Sequence, residues 1–372
     1  MFTPCRRREP DPGAQQAPRR RRHGGRKEMV CVIDLRSDTK TLPTPEMLAT
    51  VTQAPLGDDV AGEDPTVNAL EAHCAQLLGK QAAVLVTGGT MGNLASIYSQ
   101  IRPGEELICH RQAHIYHYER GGMSAVCGAL VRPIGGEKGA LDLDELADTL
   151  AEGDLHRQRT GLVCLENTHN NCGGTVLSAE HTAQVAAIAR EYGVGVHIDG
   201  ARIFNAAVAL GVDVASLADP ADSVTFCFSK SLGAPVGAMI VGSEELMKKV
   251  REARKLFGGG MRQAGVIAAM ALYSLEHNIS RLADDHRHAT EIARTLAELR
   301  GIEVDLATVE SNMVYFSVLR DDINAPGLCE RLGEYGIKAG ARNDHLIRFV
   351  THLDIDDAGC ARVCDALRAV LG

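Results

Sequence analysis

From residue 82 onward, short apolar runs alternate with stretches that suit helices, and this alternation restricts the folds open to the chain more than any other feature. The runs cover residues 82–86, 106–110, 129–133, 162–166, 194–199, 224–228 and 236–241, most of them separated by helix-compatible segments such as 181–192. A strand covered on both faces reads as a continuous apolar run, and strands joined through helices run parallel. The pattern therefore predicts an α/β fold whose mainly parallel, seven-stranded sheet is flanked by helices. Upstream, 57–66 reads as a loop in which Asp64 caps a helix running to about Leu78, with Pro65 in its first turn. Downstream of Gly258-Gly259-Gly260, residues 263–299 read as one long helical region, followed by strands near 313–318 and 346–351 and a closing helix over 356–371. The expected division is a large domain over 30–279 and a smaller C-terminal α+β domain over 280–372.

Composition removes several classes of function. With no Trp, 4% aromatic residues and a net charge of −9, the chain has neither a basic stripe in its body nor stacking platforms, so no nucleic-acid partner is expected. No apolar run reaches the roughly 20 residues of a membrane helix, so no membrane is expected either. The 11 cysteines show no Cys-x-x-Cys spacing and read as small buried hydrophobes in a reducing compartment. Residues 1–27 stand apart: nine basic residues against two acidic ones leave them at +7, and Pro and Gly interrupt any helix. They read, with 28 and 29, as a disordered basic segment. The expected location is cytoplasmic, with mitochondrial import a second reading of the Arg-rich terminus.

In an open parallel sheet, ligands bind beyond the carboxyl ends of the strands. Three features fall there. Thr87-Gly88-Gly89-Thr90 follows a strand and opens a helix, where free N–H groups and the helix dipole favour phosphate, although glycines also occur in such turns for steric reasons. In His197-Ile198-Asp199-Gly200-Ala201-Arg202, a carboxylate ends an apolar strand, a costly position unless it meets a cation, caps a helix or pairs with Arg202. Lys230, in Ser229-Lys230-Ser231-Leu232-Gly233, ends the next strand, where a lysine either emerges into solvent or reacts with a carbonyl. A strand-end lysine, a strand-end carboxylate and a phosphate-ready turn together match the needs of pyridoxal phosphate. His110, His114 and His117 share spacing that suits one helical face, but no cysteine or carboxylate completes a zinc set, and no metal is expected.

At this point the chain resembles the low-specificity L-threonine aldolases, pyridoxal-phosphate enzymes of the aspartate-aminotransferase-like fold (fold type I). The motifs are Asp34-Leu35-Arg36-Ser37-Asp38-Thr39, Gly62-Glu63-Asp64-Pro65-Thr66-Val67-Asn68, Glu166-Asn167-Thr168-His169-Asn170, His197 to Arg202, Cys227-Phe228-Ser229-Lys230 with Leu232-Gly233-Ala234-Pro235-Val236-Gly237, and Arg254-Lys255 before Gly258-Gly259-Gly260-Met261-Arg262-Gln263. They run in the family's order from Ile33 to Leu353. The resemblance implies that Lys230 bonds the cofactor, Asp199 partners its ring nitrogen, Gly89 and Thr90 hold its phosphate, and His114 stacks on its ring. It implies that Ser37, Arg202 and Arg348 grip the substrate carboxylate, that His169 lies near the substrate hydroxyl, and that Lys255 and Arg262 reach the phosphate of a neighbouring subunit. Arg202 is then a cofactor neighbour as well.

The activity implied is cleavage of L-threonine and L-allo-threonine to glycine and acetaldehyde, in a homodimer or homotetramer with shared active sites. His169, His114 or a water remains open as the base. A β-eliminating lyase or aminotransferase of the same fold is the alternative, and a catalytically silent relative a further one. In two respects the chain departs from the family: Ala61 stands where a Tyr usually follows the Gly-Asp-Asp-Val run, and the basic N-terminal segment has no counterpart in the family core.

Overall fold

The computed structural model describes residues 32–151 and 155–372, so the expectation for the N-terminal basic segment lies outside the described residues. Seven strands build the main sheet: β2 (Ala82–Val86), β3 (Glu106–His110), β4 (Leu130–Ile134), β5 (Thr160–Glu166), β6 (Gly195–Asp199), β7 (Ser223–Cys227) and β8 (Ala238–Gly242). Their order is β2-β8-β7-β6-β5-β3-β4. Each of the seven apolar runs is one of these strands, shifted by a residue or two at some ends.

The sheet is parallel except at β8, which is antiparallel to both β2 and β7. The reason lies in residues 228–237, which contain no helix. Phe228 N–H donates to Gly237 C=O (3.0 Å) and Ala234 N–H to Phe228 C=O (3.1 Å), while Gly233 and Gly237 take φ of 78° and 111°. The chain therefore turns straight back, and Lys230 rides on the turn. Register completes the placement: Glu166 pairs with Asp199 across β5 and β6, and Asp199 with Thr225 across β6 and β7. Two carboxylates and the lysine loop thus share one edge.

Behind that edge the core is closely interlocked. Phe226 meets Phe204 and Phe228 edge-on, each with ring centroids 5.2 Å apart. The helix Gly89–Gln100 starts where β2 ends and crosses the sheet so closely that a Cβ on Gly92 would lie 2.4 Å from Thr225 Cγ2. Asp64 caps Pro65–Leu77 as expected, its Oδ1 accepting from Thr66 and Val67 N–H. Its Oδ2 accepts from Gly57 and Gly265 N–H, so the cap also fixes the start of a distant helix.

That helix, Gly265–Asn278, ends early. The single helical region expected over 263–299 is two helices, the second being Leu282–Ala297. Buried Asn278 donates its amide to Leu232 C=O (2.8 Å), tying the break to the loop that carries Lys230. A second sheet follows, with β9 (Ile302–Glu303), β10 (Met313–Val318), β12 (Gly340–Ala341) and β13 (Leu346–Val350) in the order β12-β13-β10-β9. β1 (Ile33–Asp34) pairs in parallel with β11 (Ile337–Lys338), and Ile33 and Leu35 join the core of this sheet. No helix among the described residues is long and apolar enough to cross a membrane.

The tight crossing at Gly92 has a measurable consequence. Gly92→Ala is expected to cost about 1–3 kcal/mol in urea denaturation by overpacking, and Thr225→Ala in the same chain is expected to recover part of that loss.

Candidate active site

A cavity of about 220 Å³ opens at the strand ends and is lined in part by Ser37, His114, Arg202, Lys230, Arg342 and Arg348. Five of these are residues expected at the site from the sequence, drawn from segments more than 300 positions apart. Arg342 was not expected. Behind the cavity, Asp199 is 3% exposed and accepts from Asn93 Nδ2 (2.9 Å) and Ala201 N–H (3.1 Å). Both donors are neutral, and among the described residues no cation pairs with it.

Asn93 is the hub of a buried relay. Its amide N–H groups go to Asp199 and to Glu119 Oε1 (2.9 Å), so its Oδ1 must accept, and His197 Nε2, 3.2 Å away, must carry the hydrogen. His197 Nδ1 then accepts from Ser223 Oγ (2.8 Å), which accepts from Gln100 Nε2 (2.9 Å). Burial pushes the His197 pKa down to about 4, more than the nearby Asp199 charge restores, which suits this neutral tautomer.

Two further carboxylates face the same region. Burial, then the Asp199 charge, pushes Glu166 up to about 7, even though its oxygens accept from His114 N–H (2.6 Å) and Asn170 N–H (2.8 Å). Glu119 is raised by burial as well, and it holds His114 Nδ1 at 2.9 Å. For His114, burial works downward, but the bond to Glu119 and the charges of Asp199, Glu119 and Glu166 leave its pKa raised. His169 is placed differently. It is fully buried behind Glu166, edge-on to His110 at 4.9 Å, with neither ring nitrogen hydrogen-bonded, and burial takes its pKa down to about 4. It does not line the cavity with Lys230.

The two arginines differ in kind. Arg202 is buried and gives Nε and Nη2 to the two oxygens of Asp38, each at 2.7 Å, so the ion pair it forms is with Asp38 and not with Asp199. Asp38 also accepts from Ser231 Oγ (2.8 Å). Although burial opposes ionisation, Arg202 and its hydrogen bonds, with Lys230 and Ser231, hold the Asp38 carboxyl below its ordinary range. Arg348 has only neutral partners, Asn170 Oδ1 (2.6 Å) and Arg36 C=O (3.0 Å), and its buried Nε has none.

Ser37 Oγ caps the short turn Asp38–Lys40 by accepting from Thr39 N–H. Gly88 precedes Gly89–Gln100 with no side-chain cap, Thr90 is exposed, and a Cβ on Gly89 would lie 2.8 Å from Cys227 Sγ. Lys255 lies outside the Lys230 cavity, lining a separate one of about 700 Å³ with Asp59, Ala61 and Arg254, and exposed Arg262 ion-pairs with Asp58 (2.7 Å).

The sequence alone assigns no role to Asp38, Asn93, Glu119 or Glu166. Glu166 carried the same signal as Asp199, a carboxylate closing an apolar run, and Asp38 lay in the polar 34–39 stretch whose hydrogen-bonding character was evident. Asn93 and Glu119 carried no signal of their own.

A family model described as β-eliminating lyase matches residues 34–318. The low-specificity L-threonine aldolase 1 of Arabidopsis thaliana is 44% identical over 329 residues, covering 87% of this chain and 92% of the relative. The low specificity L-threonine aldolase of Escherichia coli (strain K12) is 41% identical over 346 residues, covering 91% and 99%. Among solved structures, the threonine aldolase of Leishmania major superposes with a TM-score of 0.78 at 20% identity, covering 91% of this chain and 100% of that one. Sphingomonas wittichii serine palmitoyltransferase gives 0.72 at 18% identity, with 92% and 89% covered. At those identities the structural likeness speaks for the fold alone.

Removing one member of the buried Asp38–Arg202 pair leaves the other charge uncompensated. Asp38→Asn is expected to cost about 3–5 kcal/mol in denaturation at pH 7, and Asp38→Asn with Arg202→Gln to cost less than Asp38→Asn alone. The sign follows from the lowered Asp38 pKa: its contribution is complete well above the ordinary 3.8 and is lost as pH falls below that value.

Proposed function

Since the chain belongs to the low-specificity L-threonine aldolases and to the β-eliminating lyase family, we propose that it cleaves L-threonine and L-allo-threonine to glycine and acetaldehyde, with pyridoxal 5'-phosphate as its cofactor. The observation that carries this reading is the gathering of Lys230, His114, Ser37, Arg202 and Arg348 around one cavity, with an unpaired buried carboxylate, Asp199, behind it.

The residues fit the cofactor. Asp199, held by neutral donors, lacks a cation that a protonated ring nitrogen would supply. The uncapped first turn at Gly89 and Thr90 suits a phosphate. Bound there, pyridoxal phosphate supplies an aldehyde for an amine and a ring that takes up the electron pair released at Cα. Lys230 is the amine placed to hold that aldehyde.

Arg348 keeps a buried positive charge without a carboxylate, so the substrate carboxylate is its natural partner, with the Ser37 hydroxyl beside it. Arg202 is oriented by Asp38 through two nitrogens, which leaves Nη1 for a ligand. His114 is the imidazole that lines the cavity, and we take it as the base for the substrate hydroxyl, its charge stabilised by Glu119. The Asn93 relay fixes the Asp199 carboxylate, and burial keeps His197 from becoming a competing cation.

The shared site is the finer part of the proposal. Lys255 and Arg262 line no part of the Lys230 cavity of their own chain, and a phosphate dianion calls for cationic neutralisation. The Gly258–Gly260 loop also touches the first turn of its own Gly89–Gln100 helix, since a Cβ on Gly259 would lie 2.4 Å from Met91 Sδ, so contact within one chain is the rival geometry.

Subunit mixing separates the two. Lys230→Ala and Arg262→Ala chains, each expected to be inactive on threonine, are dissociated, mixed and reassembled. If Arg262 acts across a two-fold interface, each hybrid dimer holds one intact site, and activity returns to about a quarter of wild type. Hybrids that form without recovering activity reject the shared site. A wild-type holoenzyme that releases no glycine from threonine rejects the aldolase reading itself.

A further inference from the structure

The cavity at Lys230 holds one cation more than the proposed reaction uses. Arg202 is neutralised by Asp38, and Arg348 is the partner of the substrate α-carboxylate. Arg342 remains. It lines the cavity, is exposed, and among the described residues its guanidinium forms no hydrogen bond or ion pair. Its position is built rather than loose. Arg342 N–H donates to Leu346 C=O (2.7 Å), and Asn343 Oδ1 accepts from His345 N–H (2.9 Å) and Leu346 N–H (2.8 Å), closing the turn between β12 and β13.

That turn puts Arg342 at the end of β12, lining the same cavity as Arg348 and Lys230. Beyond burial, the charges of Arg202 and Arg342 both weigh against a proton on Arg348, which places Arg342 within electrostatic reach of the carboxylate grip. An α-amino acid with one carboxylate leaves this second, exposed guanidinium of the cavity wall unmatched.

On the aldolase reading, we propose that the substrates of this site include β-hydroxy amino acids whose β-carbon carries an anionic group, recognised by Arg342 as the α-carboxylate is by Arg348. β-Hydroxyaspartate, in which a carboxylate replaces the methyl of threonine, is the smallest of them. The bond broken is the same Cα–Cβ bond. Its electron pair stays with Cα, which takes up a proton, while the hydroxyl proton leaves and the Cβ–O bond becomes a carbonyl. The products are glycine and glyoxylate, and no co-reactant is needed.

The test measures glycine release by the holoenzyme from L-threonine and from the L-β-hydroxyaspartate diastereomers, in wild type, Arg342→Gln and Arg342→Lys. The ratio of kcat/KM for β-hydroxyaspartate over threonine is expected to fall about fivefold in Arg342→Gln, the scale of a partly exposed ion pair, and to be partly kept in Arg342→Lys. As a readout independent of turnover, the affinity for L-aspartate relative to L-alanine is expected to fall in the same order. A holoenzyme that cleaves threonine but not β-hydroxyaspartate, or whose ratio is the same with Gln at 342, overturns this proposal and leaves the aldolase reading standing. Glycine from neither substrate overturns both.

Discussion

The ion pair between Asp38 and Arg202 is the interaction on which the rest of the site depends. Asp38 comes from the N-terminal segment and Arg202 from the turn after β6, and the two meet with both side chains buried. The same carboxylate accepts from Ser231, next to the lysine, and Ser231 in turn accepts from Asn312 Nδ2 (3.2 Å), whose amide also donates to Thr351 C=O (2.9 Å). One buried charge therefore ties the segment before the first helix, the lysine turn and the second sheet to a common point. Loss of either partner would strand a charge in a low-dielectric interior, so the pair specifies geometry more than it adds net stability.

Around that point the charges are sorted by what can neutralise them. Asp38 and Arg202 satisfy each other. Asp199 and Arg348 do not meet any opposite charge among the described residues, and each is held by neutral groups that fix its direction without cancelling it. A ligand with a cationic ring nitrogen at one end and a carboxylate at the other would relieve both. Glu166 and Glu119 complete the arrangement by crowding negative charge near Asp199, which favours proton retention on Glu166 and makes His114 a stronger base.

The strands were legible because a covered parallel strand is apolar throughout, and Asp64 because a capping carboxylate before Pro65 has a local signature. Lys230, Asp199 and Gly89 were legible for the same reason: each closes or follows a strand, where position in sequence fixes position in space. The direction of β8 was not legible, since Gly233 and Gly237 announce turns but only strand pairing decides which way the chain returns. The break between Gly265–Asn278 and Leu282–Ala297 depends on a bond from Asn278 to Leu232, and nothing near Asn278 in sequence indicates it. Asp38 takes its meaning from Arg202, Asn93 from Asp199 and Glu119, and Arg342 from the cavity wall, so their roles appear only when the segments are assembled.

On the proposed function, this architecture presents Lys230 to a carbonyl. Borohydride reduction of the holoenzyme, followed by proteolysis and mass mapping, tests it most directly. The reduced cofactor is expected on the peptide that contains Lys230 and on no other. A cofactor fixed to a different lysine would contradict the assignment of the whole site.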